Sequence, residues 1–260
     1  MQNAKIVAKD NLRRLFENSY PGRGIILGLD DSGQNLIQVY WTMGRGEDSR
    51  NRVLTKVGLK VITEVADPAK VKKHDPNLFY TAMSEFGPQG KYVVSNGIQT
   101  DRVADGSVLG ESRVLDSLRN YKYEEDPPNN TPRITGVSYL RGRVMADLAI
   151  LRRSSYDDSC RRFLYRYETI PQGFGYFIST YLGDSSPLQS WEGEPRLMPI
   201  DGCISDIANT YWSTLNESNK VSLVVRRIPF PTRPFAEDCR SETLIINKYE
   251  KTSQVAACRD

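Results

Sequence analysis

The sequence predicts an α+β fold in one domain spanning residues 1–260. Three observations predict it. Segments with apolar residues at helical spacing stand among period-two strands, the strands are mostly joined as hairpins, and no repeat or low-complexity linker divides the chain. A parallel βαβ series is not indicated. Two stacked sheets faced by helices, or a single sheet, both fit this periodicity.

Residues 4–16 read as a first helix, with Ile6, Leu12, Leu15 and Phe16 as its apolar members. A strand–turn–strand follows within residues 20–52, turning at Asp30-Asp31-Ser32-Gly33. In its second arm Ile37, Val39, Trp41 and Met43 alternate with Gln38, Tyr40 and Thr42, the pattern of a half-buried strand. Alternation resumes at Val53 and through Leu59, Val61, Thr63 and Val65. Asp75-Pro76 reads as a helix start, with Leu78, Phe79, Ala82, Met83 and Phe86 behind it at helical spacing and Tyr80 off that stripe. Tyr92-Val93-Val94 is strand-like and leads into the polar loop 95–101, and a helix is expected over 111–122 with Val114, Leu115, Leu118 and Tyr121 inward. Three prolines keep residues 123–133 out of a helix. Strands are expected over 133–139 and 143–151, then an antiparallel pair over 161–170 and 174–182 turning at Pro171-Gln172-Gly173. Residues 183–200 read as loop, a helix follows Asp201 and ends near Asn216 or Asn219, and strands cover 221–228 and 244–246 before a polar tail.

Composition narrows the function classes. The 260 residues are 39% hydrophobic and 26% charged, with a formal net charge of +3 and no block of like charges, which gives a nucleic-acid or membrane role little support. No run of about eighteen apolar residues and no leader pattern is present, so a soluble cytoplasmic protein is expected. Cys160, Cys203, Cys239 and Cys258 lie far apart without a CxxC pair, which suits reduced thiols better than disulfides or zinc. The one histidine, His74, reads as a surface or helix-entry residue; it leaves a Ser-His-Asp triad a single candidate and excludes a histidine-rich metal site.

The chemistry concentrates between Tyr20 and Arg52. Gly22 and Gly24 flank Arg23, and the second arm opens into Gly44-Arg45-Gly46-Glu47-Asp48-Ser49-Arg50-Asn51-Arg52. Arginines beside glycine or small polar residues suit capture of a planar anion such as phosphate or carboxylate, although an exposed hairpin loop would look the same.

Four blocks in register carry a family resemblance: YPGRGI (Tyr20 to Ile25), MGRGEDSRNR (Met43 to Arg52), VVSNGIQTD (Val93 to Asp101) and YEEDPPNNTPRI (Tyr123 to Ile134), with DPNLFYTAM (Asp75 to Met83) between the second and third. Together they resemble the archaeal-type IMP cyclohydrolase family. ISTYLGD (Ile178 to Asp184) is a shorter echo, and residues 185–260 carry no family motif. The resemblance implies closure of 5-formamidoimidazole-4-carboxamide ribonucleotide to IMP with loss of water, and a four-layer αββα sandwich like that of the N-terminal-nucleophile hydrolases. It also implies a small-molecule purine nucleotide as the partner, no cofactor or metal, and oligomers of like subunits as a reasonable expectation.

Carried over residue by residue, the family's catalytic arginine, tyrosine and glutamate fall on Arg52, Tyr80 and Glu124. Arg52 would hold the formyl oxygen or the developing oxyanion, while Glu124 as base and Tyr80 would handle protons. The alternatives are an Arg52 ion pair with Glu47 or Asp48, a Tyr80 at the rim of its helix, and a Glu124 on a solvated helix end with Glu125 as the functional neighbour. Substrate holding is assigned to Arg23, Arg45, Ser95, Asn96, Thr100, Asp101, Asn130, Thr131 and Arg133, each of which has a turn-stabilising or surface contact as its alternative. Ile98 and Gln99 depart from residues found in some members. Two other classes stay open: an amidohydrolase with an N-terminal nucleophile, which needs Ser, Thr or Cys at a processed terminus, and a nucleotide-binding protein without catalysis.

Overall fold

In the computed structural model, residues 2–71, 78–86, 90–105, 114–231 and 241–251 are described. Helix α1 (Gln2–Glu17) is followed by β1 (Gly24–Leu29), β2 (Asn35–Met43), the short α2 (Glu47–Arg50), β3 (Arg52–Val57) and β4 (Lys60–Val65). Then come β5 (Thr81–Phe86), β6 (Lys91–Ser95), α3 (Gln99–Asp105), α4 (Val114–Leu118), β7 (Arg133–Tyr139), β8 (Ala146–Arg153) and β9 (Cys160–Tyr167). The chain ends with β10 (Phe174–Ser179), β11 (Arg196–Pro199), α5 (Ile204–Thr214), β12 (Lys220–Pro229) and β13 (Glu242–Asn247). The strands form a six-stranded sheet, β11-β10-β1-β2-β12-β13, and a seven-stranded sheet, β3-β4-β5-β6-β7-β8-β9. Both are antiparallel throughout, so the class is α+β. No helix among the described residues is long and apolar enough to cross a membrane.

The hairpin forms as its turn chemistry predicts. The Asp30 carboxylate accepts from the backbone N–H groups of Gln34 and Asn35 and from the side chains of Ser32 and Asn35, and Gly33 takes a positive φ of 70°. Burial pushes the Asp30 pKa up, and these hydrogen bonds outweigh it to leave the carboxyl below its usual range.

β2 is buried on both faces, not one. Trp41 stacks on Phe177 and Tyr211, beneath α5, while the Gln38 amide donates across to the Tyr92 carbonyl and to Ser138 in the other sheet. The polar side of the alternation therefore faces the interior between the sheets, where the Gln38 amide and the Tyr40 hydroxyl are hydrogen-bonded while Gln38 Oε1 and Thr42 Oγ1 have no partner among the described residues. The sheets approach closely where β7 packs on β1: a Cβ on Gly136 would come within 3.0 Å of Ile25 and 3.1 Å of Leu27. Ile25, Leu27, Val94, Ile134 and Leu148 share this core. On the opposite face of the seven-stranded sheet Val93, Val137 and Ala149 pack with Val103 of α3 and Leu118 of α4.

Several expectations are corrected. Residues 81–86 are the strand β5, not part of a helix; the expected start at Asp75-Pro76 and His74 lie outside the described residues. A short apolar run satisfies both periods, and pairing with β4 and β6 decides it. The segments over 161–170 and 174–182 are not partners: β9 pairs with β8 and β10 with β1, so Pro171-Gln172-Gly173 carries the chain from one sheet to the other. The expected loop 183–200 contains β11, and the polar loop after β6 turns into α3 at Gln99. In α1, Leu15 is buried but Ile6 and Phe16 are exposed; in α4, Leu115 is exposed while Val114 and Leu118 are buried. The late segment proves central, since β12 pairs with β2 inside the six-stranded sheet. Cys160 and Cys203 are free thiols, and Cys239 and Cys258 fall outside the described residues.

One core residue has no evident compensation. Arg226 of β12 is 0% exposed, and its Nε, Nη1 and Nη2 lack hydrogen-bond partners. Burial pulls its pKa down against the opposing pull of Glu85 and Tyr92 across the interior. Replacing a poorly paired buried charge with an apolar side chain of similar volume is often neutral or stabilising by about 1–4 kcal/mol. Arg226→Met is therefore expected to unfold at equal or higher urea concentration than the parent chain; a clear fall in the midpoint would show that the guanidinium has a stabilising partner.

Candidate functional site

Arg23, Arg52, Tyr80, Glu124 and Arg133 lie toward one end of the two sheets, whereas Asp101 belongs to α3 and bonds Lys60 and Thr81. Arg23 immediately precedes β1, Tyr80 precedes β5, Arg52 opens β3, Arg133 opens β7, and Thr180 and Tyr181 follow β10. Glu124 is delivered by the proline-rich segment, which is held in a tight local fold. The Glu124 N–H donates to the Thr131 carbonyl, and the Asp126 carboxylate accepts from the Thr131 N–H and hydroxyl. Prolines 127 and 128 and these capping bonds explain why a loop can place a carboxylate in the interior.

Glu124 is only 4% exposed. Arg23 Nη2 donates to both of its oxygens, at 3.0 and 3.2 Å, and Arg133 Nη1 lies 3.5 Å from Oε1. Burial pushes the Glu124 pKa up, and the two guanidiniums oppose that push without cancelling it. Burial alone would lower Arg23, yet its pKa lies well above the usual value because Glu124 and the oxygens of Tyr80, Tyr181 and Tyr40 surround it. Arg133 is held in turn by the Lys122 carbonyl and Gln99.

Tyr80, 7% exposed, is no helix rim residue. Its backbone exchanges hydrogen bonds with Thr63, and its hydroxyl lies 2.6 Å from that of Tyr40. Burial raises Tyr40 well above the ordinary phenol value, Tyr80 adds to the rise, and Arg23 and Arg52 oppose it. Arg52, 1% exposed, does not use Glu47 or Asp48 as its partner. It donates from Nε to the Ser49 carbonyl at 2.8 Å and from Nη2 to the Met43 carbonyl at 3.2 Å, leaving Nη1 without a partner. Tyr40 and Tyr80 thus form one bonded pair and Arg23, Glu124 and Arg133 another group, with Arg23 and Arg52 acting on the Tyr40 hydroxyl through their charge.

Thr131 joins the same region through a hydrogen bond with Tyr181, whose pKa burial pushes up to about 12 against Arg23 and Thr131. Arg45 stands at the rim, paired with Asp184 at 2.7 Å and lying 4.9 Å above the Tyr20 ring, which stacks on Tyr181. Ser95 and Thr100 bond each other, and Asn96 pins the start of β7 through the Pro132 carbonyl and the Ile134 N–H. These three buried residues brace the loop behind Arg133. Asp101 lies with α3 on the other face of its sheet, bonded to Lys60 and Thr81, and Asn130 holds a φ of 47° in the turn with its amide on the Pro128 carbonyl.

Sequence reasoning missed Tyr40, Tyr181, Asp126 and Gln99. Tyr40 had a signal, being a phenol on the polar side of an otherwise apolar strand, and Tyr181 sits in the ISTYLGD echo. Among the described residues no group of three or more His, Cys, Asp or Glu side chains could hold a metal. The arrangement offers a fixed carboxylate, a phenol and unsatisfied guanidinium donors, which is a set suited to moving protons and stabilising a developing oxyanion.

No curated protein matches the chain. The family model described as IMP cyclohydrolase-like protein matches residues 20–229, which spans every strand that bears on this cluster. The chain belongs to the IMP cyclohydrolase-like family.

Proposed function

We infer that the chain is an IMP cyclohydrolase that closes 5-formamidoimidazole-4-carboxamide ribonucleotide to IMP, and that the Arg52–Tyr80–Glu124 constellation carries the reaction. The observation that supports this most is the burial together of the Arg23–Glu124 pair and the Tyr40–Tyr80 pair, with Arg52 and Arg23 acting on the phenols by charge. The carboxamide nitrogen attacks the formyl carbon of the same molecule, so proximity is largely built in and orientation is what the protein must supply. Glu124 takes the proton from the attacking nitrogen. Arg52 holds the formyl oxygen as it acquires charge, its unpartnered Nη1 being the available donor. Tyr80 gives its proton to the departing hydroxyl, and water leaves.

Arg23 orients Glu124, and Arg45, Thr131 and Arg133 bind the nucleotide with it; Ser95, Asn96 and Thr100 brace Arg133 from behind, and Asp101 and Asn130 serve the fold. The reaction is a dehydrative closure that forms a C–N bond of a cyclic amidine, the reverse of the hydrolysis by which cyclohydrolases are classed. The fold is a single-domain four-layer αββα sandwich of the N-terminal-nucleophile hydrolase kind; one core drawing on both sheets, with α5 over one and α3 and α4 over the other, supports that reading. Like subunits associate and work in the cytoplasm, as suits an enzyme of purine biosynthesis.

The purified chain is expected to convert the formylated ribonucleotide to IMP, followed by absorbance, at an undiminished rate in excess chelator. An inert protein that binds IMP tightly would favour the nucleotide-binding reading instead.

A further inference from the structure

Tyr40 lies in the middle of β2, with Ile25 of β1 and Val224 of β12 as its cross-strand neighbours. Those apolar flanks fix the ring and leave the hydroxyl one hydrogen-bond partner among the described residues, the Tyr80 hydroxyl at 2.6 Å. Arg23 and Arg52 act on the Tyr40 hydroxyl through their charge, and all four side chains are buried. Two hydroxyls that share one bond have one donor and one acceptor. Tyr40 is 0% exposed with no other acceptor among the described residues, whereas Tyr80 is 7% exposed, so donation from Tyr40 to the Tyr80 oxygen is the arrangement that leaves no buried hydroxyl proton orphaned. With Tyr40 donating, the Tyr80 proton points away from Tyr40 and is free for a ligand.

We propose that Tyr40 is a positioning residue for ring closure, donating to the Tyr80 oxygen so that the Tyr80 proton is aimed at the departing hydroxyl. This rests on the function inferred above. In the step itself the Tyr80 O–H bond breaks and its proton bonds to the departing oxygen. The C–O bond breaks with its electron pair going to that oxygen, and water is released. Tyr80 is left as a phenolate that the Tyr40 hydrogen bond and Arg23 stabilise. The departing hydroxyl already carries the proton that Glu124 took from the carboxamide nitrogen, and the formamido nitrogen loses its N–H proton as its electron pair forms the ring C=N bond; that proton restores Tyr80, so water is the only species released and no net proton is consumed.

The experiment compares Tyr40→Phe, Tyr80→Phe and the double variant for ring closure and for IMP affinity, with Tyr ¹³Cζ spectra of the parent and of Tyr40→Phe. Loss of one positioning hydrogen bond is expected to lower kcat about 10- to 100-fold, a part of the effect of a full general acid. KM and IMP affinity should stay within about twofold, as for an interaction made only in the transition state. The double variant should be no slower than Tyr80→Phe alone, because Tyr40 acts through Tyr80. The Tyr80 resonance should move in Tyr40→Phe whether or not turnover is measured. Unchanged kcat in Tyr40→Phe, additive losses in the double variant, or an unmoved Tyr80 resonance would each overturn the role of Tyr40 while leaving the cyclohydrolase reading intact. A parent chain that does not close the ring would overturn both.

Discussion

Glu124→Gln is expected to lower kcat for ring closure by about 10²- to 10⁴-fold, the range for loss of a general base. IMP affinity should change far less. Glutamine keeps the volume and one acceptor oxygen for Arg23, which now binds both carboxylate oxygens, so the pocket retains its shape and loses its proton acceptor. The pH profile adds a second reading. Burial holds the Glu124 pKa above the 4.5 of an ordinary glutamate, with Arg23 and Arg133 limiting the rise. A base works when deprotonated, so kcat/KM should fall as pH drops through a value above 4.5, and that acid limb should vanish in Glu124→Gln. Stopped-flow turnover and IMP titration across pH measure both quantities. If the variant keeps parental kcat, or loses affinity and kcat in equal measure, Glu124 serves to hold Arg23 and Arg133 and is not the base.

Legibility followed the range of the interactions. The Asp30 turn was readable because its hydrogen bonds close within five residues, and α5 because its buried face recurs at the helical period. β5 was not, because a short apolar run fits either period until pairing with its neighbours β4 and β6 decides it, and the passage from β9 to β10 was not, because β10 pairs with β1 far back along the chain and local pattern does not encode which sheet a strand joins. In the site, Arg23, Tyr80, Glu124 and Arg133 were named from motif positions, but nothing local showed that Arg23 and Glu124 would pair. Tyr40 was missed for a specific reason. Gln38, Tyr40 and Thr42 look like a solvent face, and only the second sheet turns that face into an interior. Asn130 illustrates the reverse: its place in a motif suggested substrate, while its positive φ and bond to Pro128 make it turn chemistry.

Arg52→Lys is expected to cost about 10²- to 10³-fold in kcat, the loss seen when one donor to a developing oxyanion is removed. Charge is conserved in this change, so the effect isolates geometry. The guanidinium reaches the carbonyls of Ser49 and Met43 with two nitrogens while presenting a third in the same plane. A buried donor left without an acceptor costs about 1–3 kcal/mol, and an oxygen arriving on the formyl carbon recovers that cost as its charge develops. An ammonium on a flexible stem cannot satisfy both carbonyls and still aim a donor at the same point. Arg50→Lys is the control: Arg50 bonds the Gly44 carbonyl in the same loop and Asn219 just before β12, so its replacement tests loop integrity without touching the proposed oxyanion contact. Thermal melts that match across parent, Arg50→Lys and Arg52→Lys, with kcat lost only in the last, would assign the rate effect to the free Nη1. Equal losses in the two variants would instead make Arg52 a clamp on the loop, and the oxyanion contact would have to come from another donor near Tyr80, of which Arg23, with its unpartnered Nε, is the nearest in charge and chemistry.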